Sequence, residues 1–443
     1  MLHRILRRGS SRRTRSRRSF GAVLALIGAT LAPHNAAAQL TLEAARATAH
    51  LVSPELRAAR EAVSAAAARE RQAGAYANPT LAYGLERTSR AGETNAQAIA
   101  QVEQQLEIGG QRAARREVAR LRRDDASTRL SLVAARLDFD VASAFARAVA
   151  AEQRERLAEQ TSVALAEARR VSEQRLAAGD VSGYVARRLR LEAGRFAAIR
   201  AAATMDRHAT RRALATLLGL SGTAGDTITL PNAPPIIADS SAAAAVDSLI
   251  ERAIRSRPEL RLAALDVATA AAEEQLVARE RVPTPTLSAG YKGERVADPA
   301  RGSLTGFRGI VAGLSIPLPL FDRRVGAIEA AAADTRRVRA EGDIVRRRVT
   351  EEVVDALQGL RTVEAQRAAL APHLGEQAQI AVRAVHASYA EGEITLVEWL
   401  DAVRAYQEAE SMYVSLQAEV AVRKAALARA VGAPLFPSPT SDR

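Results

Sequence analysis

Three kinds of hydrophobic pattern follow one another along the chain, and the series is written twice. Residues 42–75 are rich in alanine, glutamate and arginine and, apart from Pro54 near one start, read as helix. Beyond Asn78-Pro79 the period falls to two. Across residues 97–108, Ala98, Ala100, Val102, Leu106 and Ile108 alternate with Gln97, Gln101, Glu103, Gln105 and Glu107, so one face is apolar and the other polar. Residues 285–295 and 305–319 repeat this two-strand ribbon. Alternation alone fits a ribbon with one face toward lipid and a soluble sheet edge equally well. Helix then returns. Residues 111–177 contain neither proline nor glycine, and at about 1.5 Å per residue such a run reaches roughly 100 Å. Leu130, Val133, Leu137, Val141, Ala144 and Ala148 step by three and four along it, the spacing of a coiled-coil seam. Gly179 interrupts the run and residues 181–218 resume it, which predicts an antiparallel hairpin. Residues 323–390 and 394–431 form the second copy, with Gly342, Gly359 and Gly375 as softer points.

The two halves also share short motifs. Ser53-Pro54-Glu55-Leu56-Arg57 recurs as Arg257-Pro258-Glu259-Leu260-Arg261, and Asn78-Pro79-Thr80-Leu81 as Thr284-Pro285-Thr286-Leu287. Ala178-Gly179-Asp180-Val181-Ser182 pairs with Glu391-Gly392-Glu393-Ile394-Thr395, and the closing Leu218-Gly219 with Val431-Gly432. The offset grows only from 204 to 213 residues, so one unit of this size is duplicated. The resulting division is 39–220 and 249–432 as repeats, joined by a linker at 221–248 that holds Pro231, Pro234 and Pro235, and followed by a disordered tail at 433–443. The fold class predicted is mainly α with a small β part.

Residues 1–38 read as a cleaved secretory signal. Eight arginines and no acid precede the short apolar run 21–33, and Ala36-Ala37-Ala38 offers a small-x-small cleavage site before Gln39. A run of this length is too short to cross a hydrocarbon core as a helix. Ser16-Arg17-Arg18-Ser19-Phe20 resembles a twin-arginine signal, a pair that an arginine-rich leader also produces by chance. Without the leader, 55 basic residues face 50 acidic ones, so the formal charge falls from +13 to +5 and the case for nucleic acid loses its basis. Beyond the leader no apolar run approaches a membrane helix, so a mature chain that spans a bilayer must do so as a closed β-barrel. The absence of cysteine removes disulfides, thiolate metal sites, a cysteine nucleophile and a lipobox for an acyl anchor. Aromatic residues make up 3%, few for a multilayer enzyme core, whereas alanine suits helices packed closely side by side.

No catalytic constellation emerges. Gly109-Gly110 and residues 217–222 lack the lysine and spacing of a phosphate loop and read as turns. His50, His208, His373 and His386 form no i, i+4 pair, so no dedicated metal site is expected, and no cofactor. Glu398 and Asp401 lie three apart on one helical face just past a glycine turn, a pattern that by itself describes a solvated face.

Residues 106–112 (Leu-Glu-Ile-Gly-Gly-Gln-Arg), 316–322 (Ile-Pro-Leu-Pro-Leu-Phe-Asp), Tyr389-Ala390-Glu391-Gly392 and Val397-Glu398-Trp399-Leu400-Asp401-Ala402 resemble the outer-membrane efflux protein family, whose best-known member is TolC. The resemblance covers nearly all of residues 40–432. It implies a homotrimer in which each chain gives four strands to a shared 12-stranded barrel and its helices to a tunnel across the periplasm. The trimer would be a passive conduit in the outer membrane of a Gram-negative bacterium, not an enzyme. It implies docking of the hairpin tips onto a periplasmic adaptor, here Arg175, Leu176, Ala178, Gly179, Asp180, Val181 and Ser182, and Glu391, Gly392, Glu393 and Thr395. An inner-membrane transporter, of the resistance-nodulation-division type, would supply the energy. The Glu107 to Arg112 loop further resembles the heavy-metal branch. At the positions of Glu398 and Asp401, TolC carries residues that line the constricted entrance, which implies an acidic ring of six around the threefold axis. Where TolC has a tip arginine this chain has Ile394, so a salt-bridge gate is not expected, and Tyr389 is the candidate latch. A type I secretion channel, a periplasmic adaptor and a structural coiled coil are the alternatives. The last two leave the duplication or the four strands without an explanation.

Overall fold

The computed structural model describes residues 39–90, 93–222, 225, 228–233, 235, 245–298 and 303–433. The expected leader at 1–38, residues 223–224, 226–227, 234 and 236–244 of the expected linker, and the tail from 434 onward lie outside the described residues. The first half runs α1 (Leu42–Val52), α2 (Pro54–Ala73), β1 (Thr80–Arg90), β2 (Glu93–Gln105), α3 (Gln111–Ala177) and α4 (Gly183–Leu217). The second runs α5 (Val246–Ser256), α6 (Pro258–Arg279), β3 (Thr286–Asp298), β4 (Ser303–Ser315), α7 (Val325–Leu370), α8 (Glu376–Glu391) and α9 (Leu396–Val431).

Two long helical runs expected from the sequence are broken. Residues 42–75 are two helices, because Pro54 cannot donate its N–H and forces Ser53 out of helical geometry. Ser53 then caps α2, its Oγ accepting from the Leu56 N–H at 3.2 Å. The second copy breaks at the same place. Pro258 opens α6, and the buried Arg257 before it bonds Glu259 and Glu352 at 2.6 and 2.5 Å. Residues 323–390 also divide. Pro372 ends α7 in a 3-10 turn over Ala371–His373, and Gly375, at φ +87°, starts α8. Gly342 and Gly359 lie inside α7 and do not interrupt it. The uninterrupted 67-residue α3 is as expected.

The expected seam on α3 widens at its middle. Leu137, Val141, Phe145 and Val149 are buried together with Leu42, Ala45 and Ala49 of α1, Leu214 of α4 and Ala425 of α9. Short helix, long helix and closing helix meet again in the second half, where Leu249 and Ala253 of α5 pack on Val349, Val353, Leu357 and Leu360 of α7 and Leu427 of α9. A leucine-to-alanine change in either cluster costs about 2–5 kcal/mol. Residues 246–248 of the expected linker already form the start of α5, while another part of it belongs to the first cluster. Leu230 is buried in it, and the Thr229 carbonyl accepts from the Leu40 N–H at 2.8 Å.

The four strands make one antiparallel sheet in the order β1-β2-β3-β4, so the strand pair of each half is joined to that of the other through β2 and β3. Strand starts and ends differ from expectation by one to four residues, and Leu106, Ile108 and the prolines after Ser315 lie beyond the last pairs. Register aligns the alternation across all four strands. Leu81, Val102, Ala289 and Ala312 share one row, and Tyr83, Ala100, Tyr291 and Ile310 the next. On the opposite face Glu103 and Ser288, Gln97 and Glu294 are paired. The apolar face is uncovered: Leu81 is 74% and Ile310 86% exposed. Each strand has 11 to 13 residues, enough to cross a hydrocarbon core at a tilt. No helix among the described residues is long and apolar enough to do so.

Candidate functional site

The ends of α3 and α8 turn in the same way. In the first, Gly179 takes φ +84°, its N–H donates to the Leu176 carbonyl at 3.1 Å, and the Asp180 N–H reaches back to Arg175 at 2.9 Å. In the second, Gly392 takes φ +82°, donating to Tyr389 at 3.1 Å, while Glu393 donates to Ser388 at 2.9 Å. Both are left-handed glycine stops that satisfy the last carbonyls of the incoming helix. Three residues later Ser182 and Thr395 cap the outgoing helices, α4 and α9. Arg175, Ala178, Gly179, Asp180 and Ser182 are exposed, as are Glu391, Gly392, Glu393 and Thr395, while Leu176 and Val181 are half-buried.

Behind the second turn lies a packed aromatic group. Trp399 is buried, stacks on Tyr389 at 5.1 Å between ring centroids, and donates its indole N–H to His386 Nδ1 at 3.1 Å. In this geometry Nδ1 is the acceptor and leaves the other ring nitrogen, Nε2, for a further partner. Leu165 of α3 and Leu189 and Phe196 of α4 complete the cluster, which therefore ties the two hairpins together. Tyr389 and Ile394 are both partly buried against it. Burial pushes the Tyr389 phenol up, opposed by the field of Arg175 from the other turn. A cavity of about 360 Å³ opens beside the group, lined by Gln160, Thr161, His386, Trp399 and Tyr406.

Glu398 and Asp401 do share one face at the start of α9, and their surroundings differ. The Glu398 carboxylate closes a capping box: it accepts from the Thr395 N–H and Oγ1–H, each at 2.8 Å, while the Glu398 N–H donates to Thr395 Oγ1 at 3.3 Å. These bonds hold its carboxyl below the usual glutamate value. Asp401, with a side chain 63% exposed, accepts from Arg404 at 3.3 Å. Arg404 in turn pairs with the buried Glu192 of α4, and Arg188 lies in the field of both acids. The acidic face is thus partly matched by arginine, and Arg404 bridges the two hairpins near their ends. Sequence reasoning missed both this bridge and the aromatic lock. Glu192 and Arg404 lie 212 residues apart and carry no periodic signal. The lock did leave one, since Trp399 is the single tryptophan of the chain.

Comparison with known proteins brings fold and sequence together. Residues 249–433 match the family described as outer membrane efflux protein. The cobalt-zinc-cadmium resistance protein CzcC of Cupriavidus metallidurans is 26% identical over 392 residues, covering 87% of this chain and 88% of CzcC. Crystal structures of CusC superpose with a TM-score of 0.71 at 18% identity, over 89% of this chain and 92% of CusC. The outer membrane protein VceC of Vibrio cholerae gives 0.72, also at 18% identity, over 89% and 97%. The structural likenesses establish a common fold along nearly the whole chain.

Proposed function

Because the chain belongs to the outer membrane efflux protein family, we propose that it is the outer-membrane channel subunit of a tripartite efflux system, a passive conduit whose cargo is heavy-metal cations. The observation that carries this reading is the sheet: four strands of membrane-crossing length present one uncovered apolar face, and β1 and β4 each keep an edge unpaired among the described residues. A lone sheet of this kind would leave backbone groups unsatisfied in lipid. Three copies joined edge to edge close a 12-stranded barrel with the polar face inward. The likeness to CzcC supports the metal cargo.

In this proposal residues 1–38 direct export to the Gram-negative outer membrane and are removed, and the repeats 39–220 and 249–432 together give the trimer its pseudo-sixfold character. The two glycine turns dock onto a periplasmic adaptor that links the channel to an inner-membrane transporter of the resistance-nodulation-division type. Glu398 and Asp401 face the axis as an acidic entrance, with Asp401 the freer carboxylate. Tyr389 and Ile394 close the entrance by packing.

The sheet supplies the test. Val102 lies on the apolar face, so Val102→Arg costs about 2–4 kcal/mol if the residue sits near the bilayer midplane, whereas Glu103→Arg, facing inward, is tolerated. Outer-membrane fractionation and trimer yield report the difference. Equal yields for the two variants overturn the reading.

A further inference from the structure

The apolar face continues below the last paired residues and meets a cluster of arginines. At the foot of β2, Leu106 and Ile108 remain exposed and form the sheet side of a groove of about 750 Å³, whose other side is Tyr76 of the loop after α2 and Arg112 and Arg116 of α3, with Glu107 also in the lining. A second cleft of about 530 Å³, lined by Arg71 and Gly74 among others, shares Arg112 and Arg116 with the first.

The charges there are uneven. Arg115 is closed onto Glu107 at 2.6 Å, and Arg123 onto Glu70 and Asp124, each at 2.9 Å. Arg71 and Arg116 have no carboxylate partner among the described residues, and Arg112 bonds only the Gly74 carbonyl, at 2.6 Å, while its guanidinium lies 3.8 Å from the Tyr76 ring centroid. The stem of Arg116 runs along Gly74, where a β-carbon would meet its Cδ at 3.0 Å. Arg112 and Arg116 thus border a groove whose other wall is apolar, with Arg112 in the field of Glu107 and Arg71 in the adjoining cleft.

We propose that this groove binds the headgroup of an anionic phospholipid from the leaflet facing the helices. Guanidinium groups match phosphate in charge and bidentate geometry. Arg112 and Arg116 take the phosphate, Arg71 adds to the field, and the glycerol and first acyl carbons lie on Leu106, Ile108 and the Tyr76 ring. A free inorganic anion has no use for the apolar wall. The second half repeats the order at the foot of β4, where Ile316, Leu318, Leu320 and Phe321 are exposed ahead of Arg323. The proposal rests on the reading of the sheet as membrane-spanning.

The test reconstitutes the full chain in nanodiscs of phosphatidylethanolamine and phosphatidylglycerol and counts lipids retained after extraction by native mass spectrometry. Wild type is expected to retain phosphatidylglycerol in preference. The Arg71→Gln/Arg116→Gln variant should retain it about 30-fold less, two basic groups being worth about a factor of five each. Arg71→Lys/Arg116→Lys, which keeps the charge, should lose less. If insertion succeeds but wild type shows no preference, or if the glutamine variant matches it, the headgroup site is overturned and the channel reading stands. Complete displacement of the lipid by inorganic phosphate also overturns it. If the chain does not insert, the membrane reading fails and takes the site with it. Should the glutamine variant not assemble, the wild-type preference decides alone.

Discussion

The first and second helical turns have the same backbone and different support. Gly179 and Gly392 take nearly equal φ angles and close the same hydrogen bonds, and Ser182 and Thr395 cap at the same distance beyond them. Behind the first turn α3 runs unbroken for 67 residues, and the turn itself carries no aromatic group. Behind the second, the helix is broken at Pro372, and the short α8 depends on Trp399, His386 and Tyr389 for its place against α9. Duplication has preserved the turn, which the chain needs to reverse direction, while the side chains behind it have diverged. The second half has the broken helix and the aromatic support, and it carries every candidate for the entrance.

The largest expected effect tests that support. Trp399→Ala removes the buried centre of the lock and should cost about 3–5 kcal/mol, concentrated in α8 and the start of α9. Hydrogen exchange should show those segments deprotected with the first turn unchanged, and loss of protection spread evenly over both turns would erase the contrast. Next is the bridge between hairpins. Arg404→Ala leaves the Glu192 carboxylate, 8% exposed, without its partner and should cost about 1.5–3 kcal/mol in thermal unfolding. Glu192→Gln combined with it should recover part of that loss, and an additive result would mean that the pair is not coupled.

Gly179→Ala and Gly392→Ala should each cost about 1 kcal/mol and, more to the point, the same amount. No atom lies within 4 Å of a β-carbon at either position, so only the left-handed backbone is penalised. Unequal melting shifts would show that the turns are less alike than their angles. The smallest effect concerns the capping box. Because Thr395 holds the Glu398 carboxyl below its ordinary value of 4.5, the box contributes fully above that pH and is lost as pH falls through the lower folded value. Protection of the Thr395 amide should drop on acidification in the wild type, be low at every pH in Glu398→Ala, and be independent of pH in Glu398→Gln, whose amide oxygen still accepts. A pH-independent wild type would exclude the box.

Much of this molecule is written in periodicities. The switch from period two to three-and-four, the repeat and the glycine stops follow from local rules, and they located the sheet, α3 and both turns. Pro54 was visible as a breaker inside an alanine-rich run that otherwise favours helix, whereas Pro372, which ends α7, went unmarked beside Gly342, Gly359 and Gly375. What stayed illegible depends on distant partners. Glu192 meets Arg404, and Arg175 acts on Tyr389, only because two hairpins lie side by side. Glu398 and Asp401 looked equivalent by spacing, yet one is bound to a helix cap and the other to an arginine.

The pairing of β2 with β3 sets the order in which this chain can mature. Partners such as Ala96 and Arg295, or Gln105 and Thr286, lie about 180 to 200 residues apart, with the whole α3–α4 hairpin between them. Closing so long a loop is slow, since its entropy is lost before any strand bond is gained. The helical hairpin can form early from local contacts, while the first strand pair waits with an open edge and a greasy face until the second half arrives. Such an edge is the part of a nascent chain most prone to aggregate, so a holding chaperone should bind β1 and β2 in transit and release them once β3 is delivered.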